Sequence, residues 1–271
     1  MTASETLPNF TKPPVEEVAC SLQFSMPLPL GLVDFGSLVA AYRPLYPQLE
    51  EQPPLPPIST GPEQVAFQFQ FGMATIQLPR LWLLNETGNS LVQLQRDRLG
   101  VNWRRTKPQD VEQAYPRYRI AVRPSLVDAH SRLVEGLAGM REAAPSISAF
   151  EVVYVNPIPM SADQHPSDIL RCLTSDYGGA LSEPTDGLNL QLTFPLVPLD
   201  GTLTVTAGLA RRADDSNDDP LILLMQLTAR GTVPNGTFES ALDCVDVAHD
   251  SIVRGFASLT TDEMHMQWGR L

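Results

Sequence analysis

His249 is the residue whose type and setting point most directly to chemistry. Leu242, Val245, His249, Ile252, Phe256 and Leu259 recur at alternating three- and four-residue steps, so the imidazole lies in the apolar stripe of a helix, with Asp246 one turn before it. An imidazole oriented by a carboxylate can serve as a general base or a metal ligand. The competing reading is a packed histidine whose ring hydrogen-bonds an opposing sheet, and no nucleophile or second histidine stands at a recognisable spacing to argue against it. His130, His165 and His265 are scattered and are expected on the surface or in loops.

Other catalytic or metal signatures are weak. Asp243, Asp246 and Asp250 are spaced along the same helix. Asp214, Asp215, Asp218 and Asp219 lack the bend glycine and closing glutamate of a calcium loop, which leaves a solvated acidic turn. Cys20, Cys172 and Cys244 have no zinc spacing. There is no Gly-x-Gly-x-x-Gly, no Gly-Lys-Ser/Thr and no Gly-x-Ser-x-Gly, and Tyr177-Gly178-Gly179 is only a turn signal. The expectation is a protein without catalytic residues, resident metal or cofactor.

A second set of candidates comes from strand parity. Leu188, Leu190, Leu192 and Phe194 alternate with Asn189, Gln191 and Thr193, and Leu203, Val205, Ala207 and Leu209 alternate with Thr202, Thr204 and Thr206. A third run, Leu221 to Arg230, is apolar except for Gln226 and Thr228. Such alternation marks strands with one buried and one wetter face. Phe67, Phe69, Phe71 and Met73 against Gln68 and Gln70 repeat the pattern upstream. With the apolar parities facing helices, Gln68, Gln70, Gln93, Gln95, Asn102, Arg104, Asn189, Gln191, Thr193, Thr204, Thr206, Gln226 and Thr228 form the other face. Amides both donate and accept hydrogen bonds, so this face suits a polar ligand or a partner chain, although an ordinary solvated sheet face would look similar. Arg104, Arg105, Tyr115, Arg117 and Tyr118 add a local basic and aromatic cluster that suits an anion or an acidic partner.

The elements that must position these residues follow in order. Met1 to Pro14 is expected as a loosely held arm, Val15 to Phe24 as a strand and Leu32 to Tyr42 as a helix. Glu50 to Pro62 is a proline-rich extended connection. Leu81 to Leu84 and Ser90 to Gln95 flank a hairpin turn at Asn85-Glu86-Thr87-Gly88-Asn89, and Val101 to Trp103 follows as a strand. Tyr115 to Arg141 is a long helix in which Pro124 imposes a kink or a late start near Ser125. Phe150 to Val155 is a strand, Ser167 to Leu173 a short helix capped by Ser167, Phe238 to Leu259 a long helix, and Thr261 to Trp268 a short one capped by Thr261.

Strand, helix, three or four strands, helix is thus followed by strand, helix, three strands, helix. The fold class is α+β, with two antiparallel sheets each backed by a long helix. The element order predicts internal duplication of a β-α-β(3-4)-α unit, resembling TATA-binding or helix-grip folds. The halves are 1–145 and 146–271, packed as one domain or two. Residue similarity between them is thin: Val-Glu-Glu-Val at Val15 against Phe-Glu-Val-Val at Phe150.

The 271 residues carry 19 Lys+Arg against 31 Asp+Glu, a net charge of -12, which repels phosphates and disfavours nucleic-acid binding. No apolar run reaches the roughly 18 residues of a membrane span. Met1 to Lys12 lacks the basic and apolar segments of a secretory signal, and three cysteines without pairing motifs predict a reduced, cytoplasmic protein.

Several strings resemble a sporadically distributed bacterial family of uncharacterised proteins of about this length. They are Pro13-Pro14-Val15, Glu17-Val18, Leu22-Gln23-Phe24, Leu91-Val92-Gln93-Leu94-Gln95-Arg96-Asp97, Asn102-Trp103-Arg104, Tyr115-Pro116-Arg117-Tyr118, Leu242-Asp243, Ala248-His249, Ile252, Phe256 and Thr260-Thr261. The resemblance spans nearly the whole chain and implies no chemistry. The residues therefore predict a non-enzymatic interaction protein that binds or neutralises a protein partner, with homo-oligomers through sheet or helix faces. The alternative is a small-molecule-binding domain with a pocket between sheet and long helix, bordered by His249 or Tyr118. A third reading, an enzyme using His249 and nearby carboxylates, stands behind both.

Overall fold

A computed structural model describes residues 6–60, 79–106, 114–161, 163–173, 187–211 and 221–271. The strand expected at Phe67–Met73, with Gln68 and Gln70, lies outside these residues, as do the turn at Tyr177 and the acidic turn at Asp214–Asp219.

The elements in chain order are β1 (Glu17–Phe24), α1 (Leu32–Ala40), β2 (Gln48–Gln52), β3 (Arg80–Leu84), β4 (Ser90–Gln95), β5 (Arg98–Arg104), a π-helical turn (Tyr118–Val122), α2 (Arg123–Gly139), β6 (Ile147–Pro159), α3 (Pro166–Ile169), β7 (Asn189–Pro195), β8 (Gly201–Arg211), β9 (Leu221–Thr232), α4 (Phe238–Leu259) and α5 (Asp262–Gln267). The fold is α+β, but among the described residues the strands form one antiparallel sheet of nine in the order β2-β3-β4-β5-β1-β6-β9-β8-β7, not two sheets. The join is β1 against β6, running from Glu17 opposite Val155 to Phe24 opposite Ile147. Both leading strands can sit at the centre because their sequences supply buried residues on both faces; Cys20, Ser21, Leu22, Gln23 and Phe24 are all buried.

Parity holds from β5 to β7. The register aligns Trp103, Val18, Tyr154, Leu227, Val205 and Leu192 in one row on the helix side, and the next row carries Val101, Cys20, Val152, Ala229 and Leu203. Leu190 and Leu192 are half-buried against the core, while Phe194, near the end of β7, is 41% exposed. α2 and α4 cover the apolar face side by side: Arg119 and Arg123 meet Asp250 and Asp246 near the middle of α4, and His130 stacks on Phe238 at its start. Their directions are therefore antiparallel.

Local chemistry fixes the ends. Thr237 caps α4 by accepting from the Ser240 amide at 3.2 Å, and Thr261 caps α5. At α3 the expected cap at Ser167 is replaced by His165, whose amide donates to Asp168 Oδ2 at 2.7 Å. Pro124 lacks the N–H that would bond the Ile120 carbonyl, and its ring crowds that carbonyl. The chain widens there into the π-helical turn before α2 begins. β2 was not expected; Gln-Leu-Glu-Glu-Gln has no clear alternation, and it is an exposed edge strand. Among the described residues no helix is long and apolar enough to cross a membrane.

Leu22 is fully buried and Thr206 half-buried on the opposite face. Leu22→Ala is expected to destabilise by about 2–5 kcal/mol, and Thr206→Ala by under about 0.5 kcal/mol, in chemical denaturation. Similar losses for both would contradict the two-faced sheet.

Candidate functional site

Between α4 and the sheet lies a cavity of about 310 Å³, half-open at one side. Leu227 of β9 and Ile252, Val253 and Phe256 of α4 form its apolar wall, and Tyr154, Asn156, Tyr115 and His249 bring polar groups to it. Interiors normally pack with few voids larger than a water molecule, so an apolar space of this size is a feature to explain.

His249 is the centre of its polar side. Tyr154, on the helix face of β6, places its hydroxyl 2.8 Å from His249 Nδ1, and the Tyr115 hydroxyl lies 2.9 Å from that of Tyr154. A run from Tyr115 to Tyr154 to Nδ1 gives both phenol protons an acceptor and leaves only the Nε2–H for solvent or a ligand, whereas the opposite run leaves the Tyr115 hydrogen without an acceptor among the described residues. His249 therefore accepts at Nδ1 and carries its proton on Nε2. Nε2 makes no hydrogen bond among the described residues; Asp250 Oδ1, at 3.8 Å, is beyond reach.

Burial first and then the nearby Arg119, opposed by Asp246, lower the His249 pKa to about 4. The imidazole is neutral at pH 7, so its approach to Asp250 is not an ion pair. Burial also pushes the phenols of Tyr115, Tyr118 and Tyr154 well above their ordinary range, so all three remain donors. Tyr118 stacks on the imidazole, ring centres 4.1 Å apart and 18° from parallel, and its hydroxyl donates to Asp246 Oδ1 at 2.6 Å. Arg123 Nε bonds both oxygens of the same carboxylate at 3.0 Å. Asp246 thus fastens the π-helical turn to α4, and that turn puts the Tyr118 ring over His249.

The N-terminal segment closes another side. Leu7, Pro8, Asn9, Phe10, Pro13 and Val15 border the cavity, so residues 6–14 are docked and not the loosely held arm their composition predicts. Phe10 is only 5% exposed and meets Phe256 and Trp268 edge-on, each with ring centres 6.0 Å away. The Thr11 and Lys12 amides donate to the Gly269 and Trp268 carbonyls at 3.0 Å. Arg117 donates to the Phe10 carbonyl from a left-handed backbone conformation, φ 78°, which strains a non-glycine residue by roughly 1–3 kcal/mol. Strain of this kind, next to a π-helical turn, concentrates where a site is held in a fixed shape.

The residues expected to act together separate into groups. Tyr115, Tyr118 and His249 meet at the cavity. Arg104 does not join them: it lies on the opposite face, with its guanidinium 5.4 Å from the Trp82 ring and Nε donating to Gly88 at 3.0 Å. Gln93, Gln95 and Asn102 do face away from the helices, but they are buried and not solvated. Gln93 accepts from Arg80 and Trp82 and donates to Asn102 at 2.6 Å. Gln95 holds both backbone groups of Leu55, accepting at 2.8 Å and donating at 3.0 Å. The proline-rich connection thus lies across the first half of this face as a strap. Gln191 remains exposed, on β7 with Asn189 and Thr193.

His265, expected at the surface, is 2% exposed and bonded to Thr260 and Arg270; His130 is half-buried. The three cysteines are free, Cys20 and Cys244 being buried. Among the described residues no group of three His, Cys, Asp or Glu side chains could hold a metal. Sequence reasoning missed Tyr154 and Phe10. A tyrosine in the apolar parity of a central strand was the available signal, because its hydroxyl must find a partner. No protein-family model and no curated protein matches the chain.

His249 binds its proton near pH 4 in the folded protein and near 6.5 when exposed. The unfolded chain therefore takes up the extra proton, and stability is full above the unfolded value and falls on acidification toward pH 4, by at most about 3 kcal/mol. His249→Gln should flatten this slope relative to the unsubstituted protein; an unchanged slope would show the imidazole to be solvated. Gln95→Leu, which leaves the Leu55 amide without its partner, should destabilise by about 1–3 kcal/mol and speed hydrogen exchange at Leu55. Unchanged exchange there would contradict the strap.

Proposed function

We propose that the protein binds a small, largely apolar molecule in the cavity between α4 and the sheet. The observation that carries this reading is the apolar space bordered by both His249 and Tyr118, with its polar groups gathered on one side. Its volume is at the lower end of the roughly 300–1,000 Å³ of small-molecule sites. The neutral imidazole, with Nε2 open, offers one oriented donor; the docked arm covers part of the cavity wall. General-base chemistry at His249 has less support, because its depressed pKa makes it a weak base and no nucleophile stands beside it.

The interaction-protein reading retains support from β7, whose outward residues Asn189, Gln191 and Thr193 are exposed and uncharged, as an edge open to strand pairing would be. Its earlier basis in Gln93, Gln95 and Asn102 is weaker, since the chain's own strap occupies that ground. Self-association that survives Gln191→Lys combined with Thr193→Lys would remove β7 from consideration.

We also read the two halves as a duplication. Each leading strand pairs with the last strand of its own half, β1 with β5 and β6 with β9, and a helix follows each. The helix-grip comparison supports a pocket between helix and sheet. Superposing the halves of an experimental structure would reject the duplication if α2 failed to coincide with α4.

The binding reading is tested with a neutral fluorescent probe, N-phenyl-1-naphthylamine. The protein should take it up with increased emission, and Val253→Trp, which fills the cavity from α4, should weaken uptake at least about tenfold while the folded signature is kept. No uptake, or equal uptake by the filled variant, would overturn it.

A further inference from the structure

The described lining of the cavity carries charge of one sign. Arg117 and Arg119 border it with His249 and three tyrosines, and no aspartate or glutamate does. The chain as a whole has the opposite balance, 31 Asp+Glu against 19 Lys+Arg. The carboxylates that lie near are engaged elsewhere: Asp246 by Arg123 and Tyr118, Asp250 by Arg119. Arg117, Arg119 and Arg123 against Asp246 and Asp250 leave one positive charge in excess around this site.

Two of the donors converge. Asp250 Oδ1 lies 3.2 Å from Arg119 NH2 and 3.8 Å from His249 Nε2, so both nitrogens approach one carboxylate oxygen at the half-exposed rim. Asp250 bonds only one of them. The remaining guanidinium N–H groups of Arg119 and the free Nε2–H are directed donors that a ligand oxyanion can use. Behind this pair the wall is apolar, formed by Leu227, Ile252, Phe256 and Phe10. Arg117 spends one N–H on the Phe10 carbonyl, and a single positive charge in excess matches a monoanionic carboxylate better than a phosphate dianion.

We propose that the cavity takes an amphiphilic monocarboxylate, its head held by Arg119 and His249 Nε2 and its tail lying between α4 and the sheet. This inference rests on the binding reading above and adds the charge and polarity of the ligand. Asp250 sets the limit on affinity, since it competes for Arg119 and repels the incoming head.

The test is displacement of bound N-phenyl-1-naphthylamine by decanoate, decanol and decylamine, which share a chain and differ in head group. Decanoate should compete best, about tenfold better than decanol, equivalent to ~1.4 kcal/mol, with decylamine weakest. Arg119→Gln should abolish the preference for decanoate over decanol, and Asp250→Asn should increase it. Decanol or decylamine competing as well as decanoate would overturn the charge assignment and leave the pocket standing. The same holds if Arg119→Gln keeps the preference, or if none of the three displaces the dye. Failure of the dye itself to bind, seen before any competitor is added, would remove the pocket and this inference together.

Discussion

A β-strand has two faces, and the structure depends on how consistently this sheet keeps them apart. From β3 to β7 the residues that oppose one another across each ladder share a side, and aliphatic side chains meet α2 and α4. The central pairing of β1 with β6 makes the two halves one surface. A register slip of one residue at that pairing would send Val152 and Tyr154 to the strap side and Val153 and Val155 toward the helices. Tyr154 keeps its side but brings a phenol hydroxyl into that otherwise apolar face, and it borders the cavity.

A buried hydroxyl left unpaired costs about 1–3 kcal/mol, so Tyr154 requires a partner from the layer above. His249 supplies it from the apolar stripe of α4, and Tyr115 completes the run. The Tyr118 ring stacks on the imidazole from the π-helical turn. The π-helical turn, the strained Arg117 and the docked Phe10 all border the cavity. Their convergence on one place is what supports reading the space as a site.

Much of the scaffold was legible from periodicity. α4 is bounded where its stripe and caps place it, from Phe238 to Leu259, because an amphipathic helix with one buried face leaves an unambiguous record. The alternation of β7 and β8 gave their faces correctly. The single sheet was less legible, since periodicity within strands says nothing about which strands pair. The fate of the amide face was hidden for a related reason: Gln93, Gln95 and Asn102 look the same whether water or the chain's own groups satisfy them, neighbouring strands for Gln93 and Asn102 and the strap for Gln95. His249 was identifiable as a buried histidine, but its partner was not, because Tyr154 lies 95 residues away in sequence. Arg104 and Tyr115 were grouped by proximity along the chain and stand on opposite faces of the sheet.

The central claim is that His249 is uncharged, bonded to the sheet through Nδ1, and open to the cavity through Nε2. Nitrogen-15 NMR of the imidazole measures each part directly. The account predicts a neutral ring at pH 7 with the proton on Nε2 and titration near pH 4. A ring titrating near its ordinary value of 6.5, or one protonated at Nδ1 at neutral pH, would contradict it.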